Sequence, residues 1–464
     1  MEIYELLIRV KKDNEMCIVL PKTLQKHEFY QGKTKTLVSF GQKKAEVPIR
    51  FHKGNELILS DKLAANLCFP YGKLQLHVII QKHLIKIGPL LSVYVRKEKT
   101  GDFGLLNTFL KSFADLCIDK KIALMVFTPN NTNYETKTIV GYRFCYVSNA
   151  WKICKFPLPD VIIDRGIFGG TKYWNSAHKE RMMFQNNPEI IKFNASLGNK
   201  YETYEILAKN SMLSEYLPDT IVYNDFQDLV NMLDKYTTVY MKPVGGTQGY
   251  GIIKVSRQNN KYHIFINDVR YTSNTVKSMC LFINKKINQF NLHNKQLYII
   301  QQAIPLFKVN NSILDFRVLL QKRENLRWGI TAVVARVGKQ NDITSNLSRG
   351  GTVIDGEAAV KQIAKKLNIE DANILYQKIK DVSILAAFTL ENSSGTFGEL
   401  GIDLGVDTSG DPWIIEINPR PGRKSLRIVD EAKRTQSLEI PIQYCLELWF
   451  RKFRGNLRDK AYRY

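Results

Sequence analysis

The sequence predicts a multidomain α/β protein, and three observations carry that prediction. The first 85 or so residues are short alternating strands; from Ile87 the pattern changes to apolar runs separated by helical stretches. From about residue 166 to 430 strands and amphipathic helices follow one another and end in a hairpin with acidic side chains on one face. A chain of 464 residues exceeds a single ordinary core, so several domains are expected. At 44% hydrophobic and 24% charged residues the composition is that of a globular protein. No apolar run approaches the roughly 18 residues that would cross a bilayer. Met1-Glu2-Ile3-Tyr4-Glu5 reads as an acidic strand start rather than a secretory leader, and a reducing, cytoplasmic setting is the expectation.

In order along the chain, strands are expected at Tyr4–Val10, Cys17–Leu20, Thr36–Phe40, Glu46–Phe51 and Leu74–Ile80, with one helix near Asp61–Leu67. Ile87–Val95 reads as one continuous apolar strand. It is followed by a helix over Leu105–Ile118 and a strand over Ala123–Thr128, which together make a β-α-β unit of parallel type closed by Asp160–Asp164. A polar helical stretch spans Asn175 to Asn210, broken at Gly198-Asn199 just before Lys200. Helices are expected at Asp225–Tyr236 (capped by Asn224 or Asp225), Val276–Phe290, Gly356–Leu367 and Ala372–Glu391, and strands at Gln296–Ile304, Leu314–Leu320 and Trp328–Val337.

Several function classes recede on composition. The seven cysteines are odd in number and form no C-x-x-C pair, which argues against a disulfide framework or structural zinc; they read as small core residues. The seven histidines show no metal-ligating spacing. The net charge of +23 is spread along the chain, apart from a modest tail at Arg451, Lys452, Arg454, Arg458, Lys460 and Arg463. With no nucleic-acid motif in sight, that excess favours anionic ligands in general over nucleic acid.

Two stretches carry chemistry. Val239–Val244 is a strand bearing Lys242 and ending at Pro243; it runs into Gly245-Gly246-Thr247-Gln248-Gly249-Tyr250-Gly251. The glycines let backbone amides approach an anion, but the lysine precedes them and no helix follows, so this is not a Walker loop. The second stretch is Gly398–Val406 with Pro412–Asn418, joined by the turn-like Asp407–Asp411. Glu416 and Asn418 share a face, and a turn centred between Ser409 and Gly410 sets Asp403 opposite Glu416. Two carboxylates and an amide oxygen make an all-oxygen, hard-cation site suited to Mg2+. Arg420, Arg423, Lys424 and Arg427 beside these acids suit a metal-bound polyphosphate. Taken singly, each residue has a plainer reading. Asp403 and Glu416 could be solvated, Lys200 a helix-start lysine, Lys242 an edge-strand charge, and Arg317 or Arg336 an ion-pair partner of Asp315.

Taken in series, these segments resemble the ATP-grasp superfamily: Lys200, then Lys242 before the glycine loop, a hinge strand at Gln301–Ile304, Asp315-x-Arg317, Arg336, Asn346-x-x-x-Gly350-Gly351, Asp403 and Glu416-x-Asn418. Leu217–Thr220, Tyr298–Ile304 and Pro159–Arg165 are most similar to the YheC/YheD group of endospore coat-associated proteins, over the whole chain. The resemblance implies an α/β (α+β) architecture in four parts. These are a small β-rich domain (1–85), a pre-ATP-grasp parallel α/β domain (86–165), an ATP-grasp domain of two subdomains clasping ATP (166–430), and a C-terminal helix with a basic tail (431–464). It further implies that Lys200 and Lys242 contact ATP phosphates, that the loop with Gly245, Gly246, Gly249 and Gly251 closes over them, and that backbone near Gln301, Gln302, Ala303 and Ile304 holds adenine. By the same likeness Asp403, Glu416 and Asn418 bind Mg2+ (or Mn2+), and Arg317, Arg336 and Arg349 face the transferred phosphate or the acid. Many such hinges carry an acid where Gln301-Gln302 stand here.

The expected activity is therefore that of an ATP- and Mg2+-dependent ligase, activating a carboxylate as an acyl phosphate for attack by an amine or thiol. Its expected partners are ATP, an acid and a nucleophile, with spore-coat components implied by the resemblance. The rival reading is a nucleotide-binding structural protein of the spore coat without turnover.

Overall fold

The computed structural model describes residues 1–26, 34–81, 83–98, 103–169, 171–195, 197–245, 250–266, 269–290, 297–339 and 350–455. Two compact units emerge. The first holds Met1–Asn194, Arg323–Leu326 and the chain from Leu438; the second holds Ala195–Lys322 and Arg327–Ser437.

In the first unit, seven strands close into a barrel: β1 (Glu2–Lys11), β2 (Ile18–Pro21), β3 (Lys35–Phe40), β4 (Lys43–His52), β5 (Leu57–Ser60), β6 (Lys73–Gln81) and β7 (Leu84–Gly88), in the order β1-β5-β2-β4-β3-β7-β6. Closure removes the sheet edges that an open sheet of this size would expose. The α-helix described between these strands, α1 (Asp61–Asn66), starts where Ser60 accepts the amide of Leu63.

The apolar run at Ile87–Val95 is two strands and not one. The chain leaves the barrel at Gly88-Pro89 and enters a second sheet as β8 (Leu90–Tyr94). Proline has no amide to donate, so the ladder cannot continue through it. Helix α2 (Asn107–Asp119) crosses to β9 (Ala123–Phe127), parallel to β8, and β13 (Val161–Asp164) and β14 (Ile191–Phe193) extend the parallel core on the other side. The short β10 (Thr132–Asn133) and a hairpin absent from the sequence reading, β11 (Thr138–Cys145) with β12 (Ala150–Pro157), finish the sheet. The expected helical stretch from Asn175 to Asn210 is likewise interrupted. It contains α3 (Trp174–Gln185), then β14, then α4 (Lys200–Ala208) and α5 (Ser211–Ser214).

One buried ion pair ties barrel to sheet. Lys86 on β7 lies 2.6 Å from Asp160, with side chains only 4% and 6% exposed, and also donates to the carbonyl of Gly41 at 2.6 Å. The second oxygen of Asp160 accepts the amide of Leu90 at 2.8 Å. Burial lowers the pKa of Lys86, and Asp160 offsets part of that cost. Asp160→Ala is expected to cost about 3–5 kcal/mol by leaving the ammonium buried without its anion. Denaturant midpoints measure this, and a cost below about 1 kcal/mol would remove the pair from the account of the fold.

In the second unit, one antiparallel sheet runs in the order β15-β20-β16-β17-β18-β19. Its strands are β15 (Thr220–Tyr223), β16 (Thr238–Pro243), β17 (Ile253–Gln258), β18 (Lys261–Ile266), β19 (Val269–Ser273) and β20 (Tyr298–Gln302). One face packs Val239, Met241, Ile253, Val255, Ile264 and Ile300 against α6 (Phe226–Tyr236) and α7 (Val276–Phe290). Asp225 caps α6, with Asp228 completing a capping box.

The other sheet, order β24-β23-β22-β25-β26, holds β22 (Ser312–Lys322), β23 (Trp328–Val337), β24 (Thr352–Asp355), β25 (Glu399–Val406) and β26 (Pro412–Asn418), with β21 (Lys308–Val309) beside β22. Its core face (Phe316, Val318, Leu400, Ile402, Leu404) packs on α8 (Gly356–Leu367) and α9 (Ala372–Ser394). Helix α10 (Lys424–Val429) and α11 (Glu431–Phe453) end the described chain, and no described helix is long and apolar enough to cross a membrane. None of the seven cysteines is in a disulfide, and Cys17, Cys117, Cys280 and Cys445 are buried.

Candidate functional site

The late hairpin forms as expected, but by a different route. At the turn end Val406 faces Pro412 and Leu404 faces Ile414; past an irregularity between Asp403 and Leu404 the register becomes Asp403 opposite Glu416 and Gly401 opposite Asn418. Ile415 is the extra residue, a β-bulge. The turn is thus centred on Ser409 rather than between Ser409 and Gly410, and the bulge restores the pairing of the two acids. On β25 the core takes Leu400, Ile402 and Leu404, so Asp403 points to the opposite face, although it is itself only 5% exposed.

On that face Asp403 meets two guanidinium groups. Arg317, directly across on β22, donates from both Nε and Nη2 (the latter at 2.8 Å), and Arg336 on β23 approaches Asp403 Oδ2 at 2.9 Å. Arg336 is also held by Asp315, at 2.6 and 2.7 Å, in a bidentate pair. Burial pushes the Asp403 carboxyl up, but Arg317 and Arg336 outweigh it and hold the pKa below the usual carboxylate value. Arg336 answers in kind. Burial alone would weaken its charge, and Asp403 and Asp315 together raise its pKa. Asp315 is the residue the site reading left without a role, and its geometry gives it one: it fixes the plane of Arg336.

The lysines arrive from elsewhere. Lys200 is the first residue of α4, held there by an Asn199 cap and a capping box with Glu202, and its amide donates to Val244 at 3.2 Å. Its ammonium lies 3.3 Å from Glu416, whose side chain is 41% exposed. Lys242 projects from β16 on the face opposite the core and donates to the amide oxygen of Gln301 at 2.6 Å. Gln301 in turn donates to Thr220 at 3.0 Å. Burial lowers the pKa of Lys242 to about 8; Glu416 partly opposes this and Lys200 adds to it. No described residue makes an ion pair with Lys242. A half-buried cation that meets an amide oxygen and, at 5.8 Å, the Tyr240 ring, but no carboxylate, is poorly satisfied electrostatically, and an anionic ligand would relieve it.

The structure thus brings Lys200, Lys242, Glu416, Asp403, Arg317 and Arg336 into one neighbourhood. The hinge amides are partly engaged already. Gln302 donates to Asp219 O at 2.8 Å and Ala303 to Thr238 O at 3.2 Å. Gly245 and Gly251 flank the loop between β16 and β17, whereas Gly246, Gly249 and Arg349, like Asn346, lie outside the described residues. Arg423 does not join the acids of the site. It turns inward to Glu399, donates to Pro421 O at 2.7 Å and is buried, so it is part of the framework.

Glu416 and Asn418 offer oxygens of the kind a divalent cation takes, while both oxygens of Asp403 are already met by Arg317 and Arg336. Asp403 is held as the anion, Glu416 is open to solvent, and Asn418 is placed on their face by register. Among the described residues no group of three or more His, Cys, Asp or Glu could hold a metal.

A family model for YheC/D-like ATP-grasp proteins matches residues 189–448. The endospore coat-associated protein YheD of Bacillus subtilis (strain 168) is 26% identical over 456 residues, covering 93% of this chain and 94% of YheD. The endospore coat-associated protein YheC of the same organism is 24% identical over 332 residues, covering 71% and 88%. Among solved structures, the ATP-grasp ligase PsnB complexed with minimal precursor has a TM-score of 0.44 at 10% identity, over 77% of this chain and 99% of that one. The D-cycloserine synthetase DcsG has a TM-score of 0.45 at 10% identity, over 78% and 99%. With more than half its length matched, the chain belongs to the YheC/D-like ATP-grasp family.

Proposed function

We propose that the protein is an ATP-dependent ligase that joins a carboxylate to an amine or thiol. The observation that supports this most is Lys242, a half-buried cation without a carboxylate ion-pair partner among the described residues, facing Lys200 and Glu416 across the site. Lys200 and Lys242 bind the β- and γ-phosphates, and backbone at 302–304 borders the adenine. Asp403, Glu416 and Asn418 hold Mg2+, which supplies charge neutralisation at the phosphates. Without a cation, two carboxylates at about 4 Å from a triphosphate would each repel it by roughly 4 kcal/mol per charge pair at an effective dielectric of about 20.

A substrate carboxylate oxygen attacks the γ-phosphorus; that O–P bond forms as the β–γ bridging P–O bond breaks, and ADP leaves. The amine then attacks the acyl carbon, the C–N bond forms, the C–O bond to phosphate breaks, and inorganic phosphate departs while the amine proton passes to solvent. Arg317 and Arg336, fixed by Asp403 and Asp315, stabilise the charge on the phosphoryl group in flight, and Arg349 is assigned to the same task. No side-chain nucleophile is required.

The test is ADP release with Mg2+ and candidate acids, with hydroxylamine present to trap the acyl phosphate as a hydroxamate. ATP-dependent hydroxamate supports the reading. Tight Mg-ATP binding with neither ADP nor hydroxamate across acid and amine panels, and Glu416→Ala altering spore-coat assembly only, would favour the structural role that the names of YheD and YheC suggest.

A further inference from the structure

The sheet that carries Lys242 has a second feature, which meets the nucleotide site where the Lys242 ammonium stands 5.8 Å from the Tyr240 ring. Cross-strand register places Tyr240, Lys254, Phe265 and Arg270 in one row over β16, β17, β18 and β19. All four lie on the face opposite the packed core of that sheet. The row alternates ring and cation. Lys254 Nζ lies 6.0 Å from the Tyr240 ring and 5.9 Å from the Phe265 ring, and the Arg270 guanidinium lies 5.7 Å from Phe265.

By strand alternation the rest of this face on β17–β19 is Ser256, Gln258, Lys261, His263 and Thr272, so no described strand residue on it is acidic. Neither Lys254 nor Arg270 forms an ion pair with any described residue. Burial, together with Lys308 on β21, works against the charge on Lys254. Like charges are gathered here with no anion supplied by the described strand residues of this face.

We propose that this row docks an acidic polypeptide segment, so that the group ligated belongs to a Glu- or Asp-rich chain and not to a free small molecule. The link to ligation rests on the function proposed above; the docking surface does not. Three inter-strand steps from Lys242's strand to Arg270's span on the order of 14 Å. An extended peptide sets side chains of one face about 6.8 Å apart, so two or three carboxylates match the row. Single-stranded nucleic acid fits less well. Base stacking needs open ring faces, and cations already stand over both rings of the row.

Fluorescence anisotropy of labelled oligo-glutamate, with labelled oligouridylate of equal length for comparison, tests this on the full chain at low salt. Oligo-glutamate is expected to bind the unmodified protein, with Lys254→Ala and Arg270→Glu each weakening it about fivefold or more while fluorescent ATP-analogue affinity stays within about twofold. Arg270 is exposed on an edge strand, so its variant keeps the test alive if Lys254→Ala folds poorly. Absence of oligo-glutamate binding, indifference to both substitutions, or tighter binding of oligouridylate would overturn the proposal. Should nucleotide fail to bind while oligo-glutamate still depends on Arg270, the ligase reading falls and the acidic-chain surface stands.

Discussion

Replacing Lys242 with methionine is expected to weaken Mg-ATP binding by about a hundredfold or more while making the unliganded protein more stable. The two effects share one cause. The ammonium is buried against an amide, with a pKa of about 8 in place of 10.5. At about 1.4 kcal/mol per unit the folded protein bears a penalty of up to about 3 kcal/mol for holding that charge. Methionine removes the penalty and, with it, the charge that meets the phosphates, a loss of about 2–5 kcal/mol of binding.

The pH dependence carries the opposite sign to that of an ion-paired lysine. Between pH 8 and 10.5 the unfolded chain holds more of this proton than the folded one, so stability rises with pH through that window and the penalty is complete below it. Bound polyphosphate raises the pKa again, so nucleotide binding near pH 9 takes up protons. Calorimetry in buffers of different ionisation heat reads that uptake, and Lys242→Met should abolish it. If the substitution destabilises the protein, or if binding at pH 9 moves no protons, Lys242 is not the unsatisfied cation described here.

Asp403→Asn and Glu416→Gln should separate framework from function. Asp403 lies under Arg317 and Arg336, both its oxygens engaged and its side chain 7% exposed, so losing its charge takes the anion from Arg317 and leaves Arg336 with Asp315 alone. A cost of about 3–5 kcal/mol in denaturant midpoint is expected, along with loss of Mg2+ dependence. Among the described residues Glu416 forms an ion pair with Lys200 alone, at 3.3 Å, and is 41% exposed. Its replacement should change stability by no more than about 1 kcal/mol yet lower turnover about a hundredfold or more. A severe stability loss in Glu416→Gln with an unchanged midpoint in Asp403→Asn would reverse the assignment.

Much of this was legible in the residues because it was written locally. The β25–β26 hairpin shows alternation on both sides of a polar turn, and α8 has its apolar period and a capping Asp355. What stayed hidden was long-range or unpunctuated. Arg317 and Asp403 are 86 residues apart, and only sheet order tells whether Arg317 serves Asp315 or Asp403. The run at Ile87–Val95 is apolar on both faces, so nothing but Gly88-Pro89 signals that it belongs to two sheets. β14 is three residues long, too short to show a period. The row of Lys254, Phe265 and Arg270 was readable in principle as every second residue, but its pairing across three strands was not. Barrel closure, too, follows from how strands meet and not from any one of them.

The extra residue in β26 has a consequence for how this hairpin tolerates change. Excising Ile415 would set Glu416 directly after Ile414 in a regular ladder, still across from Asp403, with Asn418 still across from Gly401. The damaging change is the opposite one: with Ile415 kept and the bulge ironed out, Ile415 would take the place beside Asp403 and Glu416 would swing to the side of Ile402, an acid driven into oil. This hairpin should therefore bear the loss of that one residue far better than the loss of the irregularity that houses it.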